Sequence, residues 1–125
     1  MGYEEALRLI EEAAETGAKE LNLNRQGLTE LPQRLFDLTN LTELLLWSNK
    51  LTKLPQQIGQ LTNLTTLNIG GNRGIKLPPE LFQLTNLTSL VLGVLHLTSL
   101  PPELFQLVKL KKLYINGNRL PNPSS

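Results

Sequence analysis

The sequence is poor in the residues on which most protein chemistry depends. Its 125 residues contain no cysteine, one histidine, one tryptophan and two tyrosines. Without cysteine, neither disulfide bonds nor thiolate metal sites can form. The sequence has no apolar run of membrane length and no signal-peptide core, which predicts a soluble, cytoplasmic protein. Its length predicts a single domain over 1–125, large enough to bury a core.

Charge is nearly balanced in total but unevenly placed. The net charge is +1. The N-terminal end is acidic, with Glu4, Glu5, Glu11, Glu12 and Glu15. The last acid is Glu103, and the bases that follow it are Lys109, Lys111, Lys112 and Arg119. Nucleic-acid-binding domains usually show a larger basic cluster, so the sequence predicts no nucleic-acid partner and no membrane partner.

The single histidine has no sequence neighbour that would make it catalytic. Ser99 follows His96 by three residues, an offset without special meaning on a turn. The stretch GGNRG, residues 70–74, shares only its glycines with phosphate-binding loops, because it lacks their lysine and their helix. The sequence therefore predicts a protein that is not an enzyme and that holds no cofactor and no metal.

Leucine is abundant, and it recurs with a fixed period. Leu-Pro pairs begin at Leu31, Leu54, Leu77 and Leu100, each 23 residues after the last. The unit is L-x-x-L-x-L-x-x-N-x-L-x-x-L-P-x-x-L-x-x-L-x-x, clearest from Leu41 to Asn63. A fixed period of this length indicates a solenoid of stacked repeats.

Each unit contains a short strand and a tight turn. The segments LTELLL, LTTLNI, LTSLVL and LKKLYI end in the alternation that short strands show. Pairs such as Leu44 with Leu46 are expected to point inward. The spacing in LPxxLFxL suits a tight helical turn, in which proline sets φ and discourages a long helix. Stacked strands would then form a parallel sheet over a continuous leucine core.

This unit resembles the leucine-rich repeat family, specifically the short intracellular type found in Ras-suppressor-like and Roco proteins. The resemblance covers about five repeats over 18–120. It implies an α/β fold: a right-handed solenoid with a parallel β-sheet on the concave face and an N-terminal capping helix. In this family the repeat asparagine bonds backbone groups inside the turn and stacks into a ladder. Asn49, Asn72 and Asn118 match that position.

The two ends of the array differ. The segment YEEALRLIEEAAETG predicts a capping helix over 3–17, with Gly17 as its stop. Its inward face is expected to contain Tyr3, Leu7, Ile10 and Ala14. No amphipathic segment follows the last repeat, and 121–125 are expected to form a tail. The open edge predicts self-association through the C-terminal edge or the concave face.

The candidate ligand-binding residues fall on the predicted concave face. They are Leu45, Asn68, Val91 and Tyr114 in the strands, then Trp47, Gly70 and Gly93, then Gly71 and Val94. Single exposed apolar residues are common in proteins that bind nothing there. Here they form adjacent rows, and apolar patches with tryptophan and tyrosine mark interaction sites. We therefore expect a shallow pocket or a platform around Trp47.

Two adjacent turns depart from the repeat. Leu95 stands where the ladder asparagine should be, and each backbone group left unpaired would cost about 1–3 kcal/mol. In the preceding repeat Gly74 replaces a leucine, and Ile75 is expected to take that leucine's place. Drift in a degenerate repeat is one explanation. The other is a reshaped edge that forms a local site. Its residues would be Trp47, Gly71, Arg73, Gly93, Val94 and His96.

These patterns predict a non-enzymatic recognition module for a protein, peptide or small ligand. Binding would use the concave face and the two altered turns. The blocks PPELFQL at 78–84 and 101–107 are identical, and such regularity is typical of an engineered or recently duplicated array. An engineered binder is one form of this prediction. The alternative is a designed scaffold or self-assembling module with no external ligand.

Overall fold

The computed structural model describes residues 2–121, which form one helix followed by five short strands. The helix, α1, spans Gly2–Thr16. The strands are β1 Glu20–Asn22, β2 Glu43–Leu45, β3 Thr66–Asn68, β4 Ser89–Val91 and β5 Lys112–Tyr114. They form one parallel sheet in the order β1-β2-β3-β4-β5. The predicted solenoid with a helical cap is confirmed; residues 122–125 of the predicted tail lie outside the described residues.

The strands pair at the repeat length, which stacks equivalent side chains. Leu21 lies beside Leu44, and Leu44 lies beside Leu67. Leu44, Leu67 and Leu90 are each 0% exposed. A shift of one residue would turn these leucines out of the core, so their spacing fixes the register.

Four 3₁₀-helices connect the strands. They are η1 Gln33–Asp37, η2 Gln56–Gln60, η3 Pro79–Gln83 and η4 Pro102–Gln106. A proline in extended backbone precedes each one, with φ between −60° and −81°. Because proline fixes φ and lacks an N–H group, the helical turn starts at a defined residue and stays short.

The inward face of α1 differs from the predicted one. Ala6, Ile10 and Ala13 are buried, whereas Tyr3 is 42% exposed and Leu7 is only partly buried. The prediction is wrong for Tyr3 and Leu7 because it favoured the larger side chains. The two alanines present no bulk, so the helix packs close to β1 and η1.

The core thins at the C-terminal end of the sheet. Leu113 and Ile115 are only partly buried, although Leu90 and Leu92, one repeat earlier, are 0% exposed. No helix within residues 2–121 is long and apolar enough to cross a membrane.

Candidate functional site

The sheet brings the predicted strand residues into one row. Leu45 pairs with Asn68, Asn68 with Val91, and Val91 with Tyr114. The first three are partly buried and Tyr114 is 49% exposed. Since neighbouring parallel strands lie about 4.8 Å apart, these side chains form a continuous strip on the face opposite the leucine core.

Trp47 lies over Gly70, immediately beyond the ends of β2 and β3. A Cβ atom placed on Gly70 would lie 2.5 Å from Cζ3 of Trp47, so only glycine leaves room for the indole ring. The Trp47 backbone N–H donates to Oδ1 of Asn24 at 2.7 Å. Of the two expected forms, this geometry favours a platform, because the ring fills the space above Gly70.

The next column of residues is left-handed in every repeat. Arg25, Ser48, Gly71, Val94 and Gly117 have φ between 55° and 75°. Glycine adopts this conformation readily, but Val94, at φ 55°, is β-branched and is a genuine outlier. The left-handed conformation costs an L-residue roughly 1–2 kcal/mol. Val94 is therefore strained where the neighbouring Gly71 and Gly117 are not.

The asparagine ladder is present where the sequence matches the repeat. Oδ1 of Asn49 accepts from the N–H groups of Gln26 and Leu28 at 2.9 and 3.0 Å. Its Nδ2 donates to the carbonyls of Leu23 and Leu46 at 2.9 and 3.1 Å. One side chain thus satisfies four backbone groups inside the turn.

The turn at Leu95 replaces part of this bonding without the amide. Leu95 is 1% exposed, and its carbonyl accepts from the Gly74 N–H at 2.9 Å. By analogy with Asn49, that N–H is one that an asparagine at position 95 would have bonded. Oδ1 of Asn118 accepts from the Leu95 N–H at 2.9 Å. The expected cost of unpaired groups is therefore partly offset by backbone rearrangement and by added core volume.

A second left-handed residue accompanies the missing asparagine. His96 has φ 62° and is partly buried. Gly27, which follows Gln26 in the other repeat without the asparagine, has φ 67°. Lys50 and Arg119, which follow ladder asparagines, do not have positive φ. In both repeats that lack the asparagine, the residue after its position is left-handed. After β1 that residue is Gly27, whereas after β4 it is His96, which is therefore strained.

The turn after β3 is rebuilt by a shift of one residue. Ile75 is 4% exposed and replaces the core leucine, as the sequence predicts. The 23-residue register is recovered at Lys76, which forms a parallel β-bridge with Lys53. The Lys76 N–H donates to the Thr52 carbonyl at 3.0 Å. Arg73 is exposed beside Gly74, and the Gly74–Leu95 bond joins this turn to the one that contains Val94 and His96.

The region around Trp47 and the altered turns presents apolar side chains and strained backbone. Within residues 2–121, no cluster of histidine, aspartate or glutamate is arranged to hold a metal ion. The perturbed acid lies at the other end of the chain: a hydrogen bond from Arg8 lowers the pKa of the exposed Glu5. The strip, the indole platform and the two strained turns offer shape and apolar surface.

Sequence reasoning did not single out a polar groove at the opposite ends of the strands. It encloses about 590 Å³ and is lined by Lys19, Asn40, Thr42, Asn63, Thr65, Asn86, Thr88 and Lys109. The recurring Asn-Leu-Thr triplets are its signal in the sequence. Nδ2 of Asn63 donates to the Thr39 carbonyl at 2.8 Å, and Oγ1 of Thr65 donates to the Thr42 carbonyl at 3.1 Å. These groups bond adjacent repeats, so the groove is explained by stacking.

Comparison with known proteins agrees with this architecture. A family profile described as leucine rich repeat matches residues 16–73 and 62–120. No curated protein sequence matches the chain significantly. A solved leucine-rich repeat protein of Leptospira interrogans is similar, with a TM-score of 0.72 and 34% identity over 88% of this chain and 34% of that one.

Two Listeria monocytogenes structures are also similar. Internalin C2 has a TM-score of 0.70 and 29% identity over 85% of this chain and 45% of that one. Another internalin has a TM-score of 0.69 and 22% identity over 92% of this chain and 39% of that one, which shows the fold alone. The chain spans less than half the length of each of these three proteins.

Proposed function

The chain belongs to the leucine-rich repeat family, and on that premise we propose that it is a non-enzymatic recognition module for a protein or peptide. The binding surface is the strip Leu45, Asn68, Val91 and Tyr114 together with the Trp47 platform. Repeats of this family commonly serve as protein-interaction modules. A small ligand is the weaker candidate, because the indole ring fills the space above Gly70.

The observation that carries this proposal is the in-register strip next to Trp47, in which three of the four side chains are apolar. Leu45, Val91 and Tyr114 lie on the same face of the sheet, across a distance of four adjacent strands. Aromatic side chains on a preorganised apolar surface supply most of the binding energy in typical interfaces. Because backbone pairing fixes the row, little conformational freedom would be lost on binding.

The altered turns extend this surface past the ends of β3 and β4. Val94 and His96 are held in left-handed conformations that cost free energy. Such strain is concentrated at functional sites in many proteins. The reshaped edge presents Arg73 and His96 on either side of the Gly74–Leu95 hydrogen bond, where they could contact the flank of a bound segment.

Selection of a random peptide library on the full chain tests the proposal. Selected peptides are expected to lose at least tenfold in affinity, about 1.4 kcal/mol, in Trp47→Ala and in Tyr114→Ala. Phe105→Ala is the matched control, because Phe105 is an exposed aromatic residue in η4, away from the strip. Failure to enrich any peptide, or equal binding to Trp47→Ala, contradicts the proposal.

The second candidate is a designed scaffold or self-assembling module whose apolar strip meets a second copy. The identical PPELFQL blocks support a designed or recently duplicated array. In that case the chain would oligomerise in the absence of peptide, and Trp47→Ala or Tyr114→Ala would abolish the oligomer. The recognition proposal instead expects those two variants to change peptide affinity.

A further inference from the structure

Four exposed cations occupy the turns that follow β2 and β3. They are Lys50, Lys53, Arg73 and Lys76, which we call the basic edge. The 23-residue period relates Lys50 to Arg73 and Lys53 to Lys76, so the four cations form two rows of equivalent positions in adjacent repeats. The basic edge therefore lies within the array, past the same strand ends as Trp47.

The backbone holds Lys53 and Lys76 side by side. They form an isolated parallel β-bridge, in which the Lys76 N–H donates to the Thr52 carbonyl at 3.0 Å and the Leu54 N–H donates to the Lys76 carbonyl at 2.9 Å. Bridged backbones lie about 4.8 Å apart, and like charges directly opposite each other destabilise the pairing. The two lysines therefore repel each other unless an anion lies near both.

No ion pair within residues 2–121 uses the basic edge. The four ion pairs of that range all lie on α1 and η1. Glu30 stands one repeat before Lys53, is exposed, and belongs to none of those four pairs. The equivalent positions of the fourth repeat, His96 and Ser99, add no acid. The basic edge therefore keeps an excess of positive charge.

The basic edge continues the proposed binding surface. Lys50 follows Trp47 by three residues, and Arg73 follows Gly70 by the same interval. The Trp47 ring lies over Gly70, and the Ser48 N–H donates to the Gly70 carbonyl at 2.9 Å, so the two turns are fixed side by side. A peptide that contacts the Trp47 platform and extends past the strand ends would meet the basic edge next.

The arrangement suits carboxylates spread along a peptide better than a single phosphate group. Phosphate sites usually combine cations with convergent backbone N–H groups. Here the N–H groups of Lys50, Gly74 and Lys76 already donate to carbonyls of neighbouring repeats, and the cations are carried on separate flexible side chains. The acidic α1 and the net charge of +1 disfavour a nucleic acid.

We propose that the basic edge binds an acidic segment of the same peptide whose apolar residues contact the strip and the Trp47 platform. This inference rests on the proposed function and adds the chemical class of the partner: an apolar segment followed by a run of aspartate or glutamate. Carboxylates near both Lys53 and Lys76 would relieve the repulsion between them. Complementary charge of this kind favours the correct partner and speeds association.

A deca-glutamate peptide tests the basic edge without the strip. Fluorescence anisotropy of the labelled peptide at about 0.02 M salt, where screening is weak, should show equal binding by the wild type and Trp47→Ala. Lys53→Gln with Lys76→Gln, the edge variant, should weaken this binding by about tenfold. Lys19→Gln with Lys111→Gln is the matched control. It removes the same charge immediately before β1 and β5, at the opposite strand ends, and should bind like the wild type.

Peptides selected from the random library connect the two surfaces. Those selected on the wild type should contain aspartate or glutamate on one side of an apolar core. Replacing these acids by their amides should lower the affinity for the wild type by about tenfold. The same replacement should leave the affinity for the edge variant nearly unchanged, because the acids have already lost their partners. Circular dichroism establishes that each variant is folded before it is compared.

The failure of this inference and the failure of the proposed function give different results. Equal deca-glutamate binding by the wild type and the edge variant, or selected peptides without an acidic run, would overturn the inference and leave the proposed function in place. Selected peptides that bind Trp47→Ala as tightly as the wild type would contradict the proposed function. Tighter binding of deca-thymidylate than of deca-glutamate, lost in the edge variant, would assign the basic edge to nucleic acid and overturn the inference.

Discussion

Among single residues, Val94, Leu95 and His96 show how the altered turn exchanges one kind of stabilisation for another. The leucine contributes buried apolar volume and loses the four bonds that an amide such as that of Asn49 makes. The backbone recovers part of that bonding through Gly74 and Leu95, and places two non-glycine residues at positive φ. The result is a turn that recovers part of its interior hydrogen bonding and is strained at its surface.

Strain at Val94 predicts that glycine is favoured there. Val94→Gly should raise the free energy of unfolding by about 1 kcal/mol, because glycine adopts the left-handed conformation without the clash of a β-branched side chain. Chemical denaturation measures this. Val91→Gly is the matched control and should be destabilising, since Val91 is in extended strand β4. If both variants lose stability equally, the turn is not strained.

The same variant separates the two explanations of the odd turns. If the edge was reshaped for binding, Val94→Gly should lower the affinity for the selected peptides while it raises the free energy of unfolding. If the turns are drift, the peptides should bind with unchanged affinity.

Leu95→Asn alone is expected to destabilise the protein by about 1–3 kcal/mol, although it restores the repeat pattern. The Gly74 N–H already donates to the Leu95 carbonyl at 2.9 Å, so the buried amide oxygen would lack that partner. Adding Gly74→Leu and Ile75→Thr, which recreates the regular spacing of Asn49 and Leu51, should recover that loss. A double-mutant cycle measures the coupling; additive effects would show that the two turns are independent.

Among the elements, the strands were predictable and the packing of α1 was not. The register of β2 on β3 follows from leucine spacing, because any slip would expose Leu44 and Leu67. On α1, the stripe of Tyr3, Leu7 and Ile10 and the stripe of Ala6, Ile10 and Ala13 both fit a helical period. Only contact with β1 decides between them, since two alanines allow close approach and a tyrosine does not.

The cap offers a direct comparison of the two faces. Ile10→Ala should lower the free energy of unfolding by about 2–4 kcal/mol, because Ile10 is 0% exposed and its loss leaves a cavity. Leu7→Ala should cost less than about 1 kcal/mol, since Leu7 lies away from the buried face. Urea denaturation of both variants tests this assignment. A larger loss of unfolding free energy for Leu7→Ala than for Ile10→Ala would support the inward face of α1 that the sequence predicts.

The candidate site was predictable in its residues but not in its shape. The row from Leu45 to Tyr114 follows from the repeat, because alternate residues of a strand face opposite sides. The position of the Trp47 ring over Gly70 depends on contacts between repeats that no local pattern encodes. The left-handed backbone at His96 likewise depends on the missing amide of the same turn, and glycine was the expected residue for such a conformation. An engineered origin stays a prediction.

At the scale of the whole molecule, the proposed binding surface and the N-terminal cap occupy different parts of the solenoid. The strip and the Trp47 platform lie on the face of the sheet opposite the leucine core, and the helix α1 lies beside β1 at one end of the sheet. Because each repeat contacts mainly its neighbours, changes at one surface should leave the others intact. Peptide recognition by the strip and the stability of the cap can therefore be measured separately in the same protein.

Fluorescence of Trp47 tests the central claim most directly, because it is the only tryptophan in the chain. Titration with a selected peptide should shift its emission to shorter wavelength and saturate at one peptide per chain, as the partly buried ring becomes covered. Phe105→Ala should give the same titration as the wild type. A peptide that binds by calorimetry but leaves the Trp47 emission unchanged would show that recognition takes place elsewhere and would contradict the proposed function.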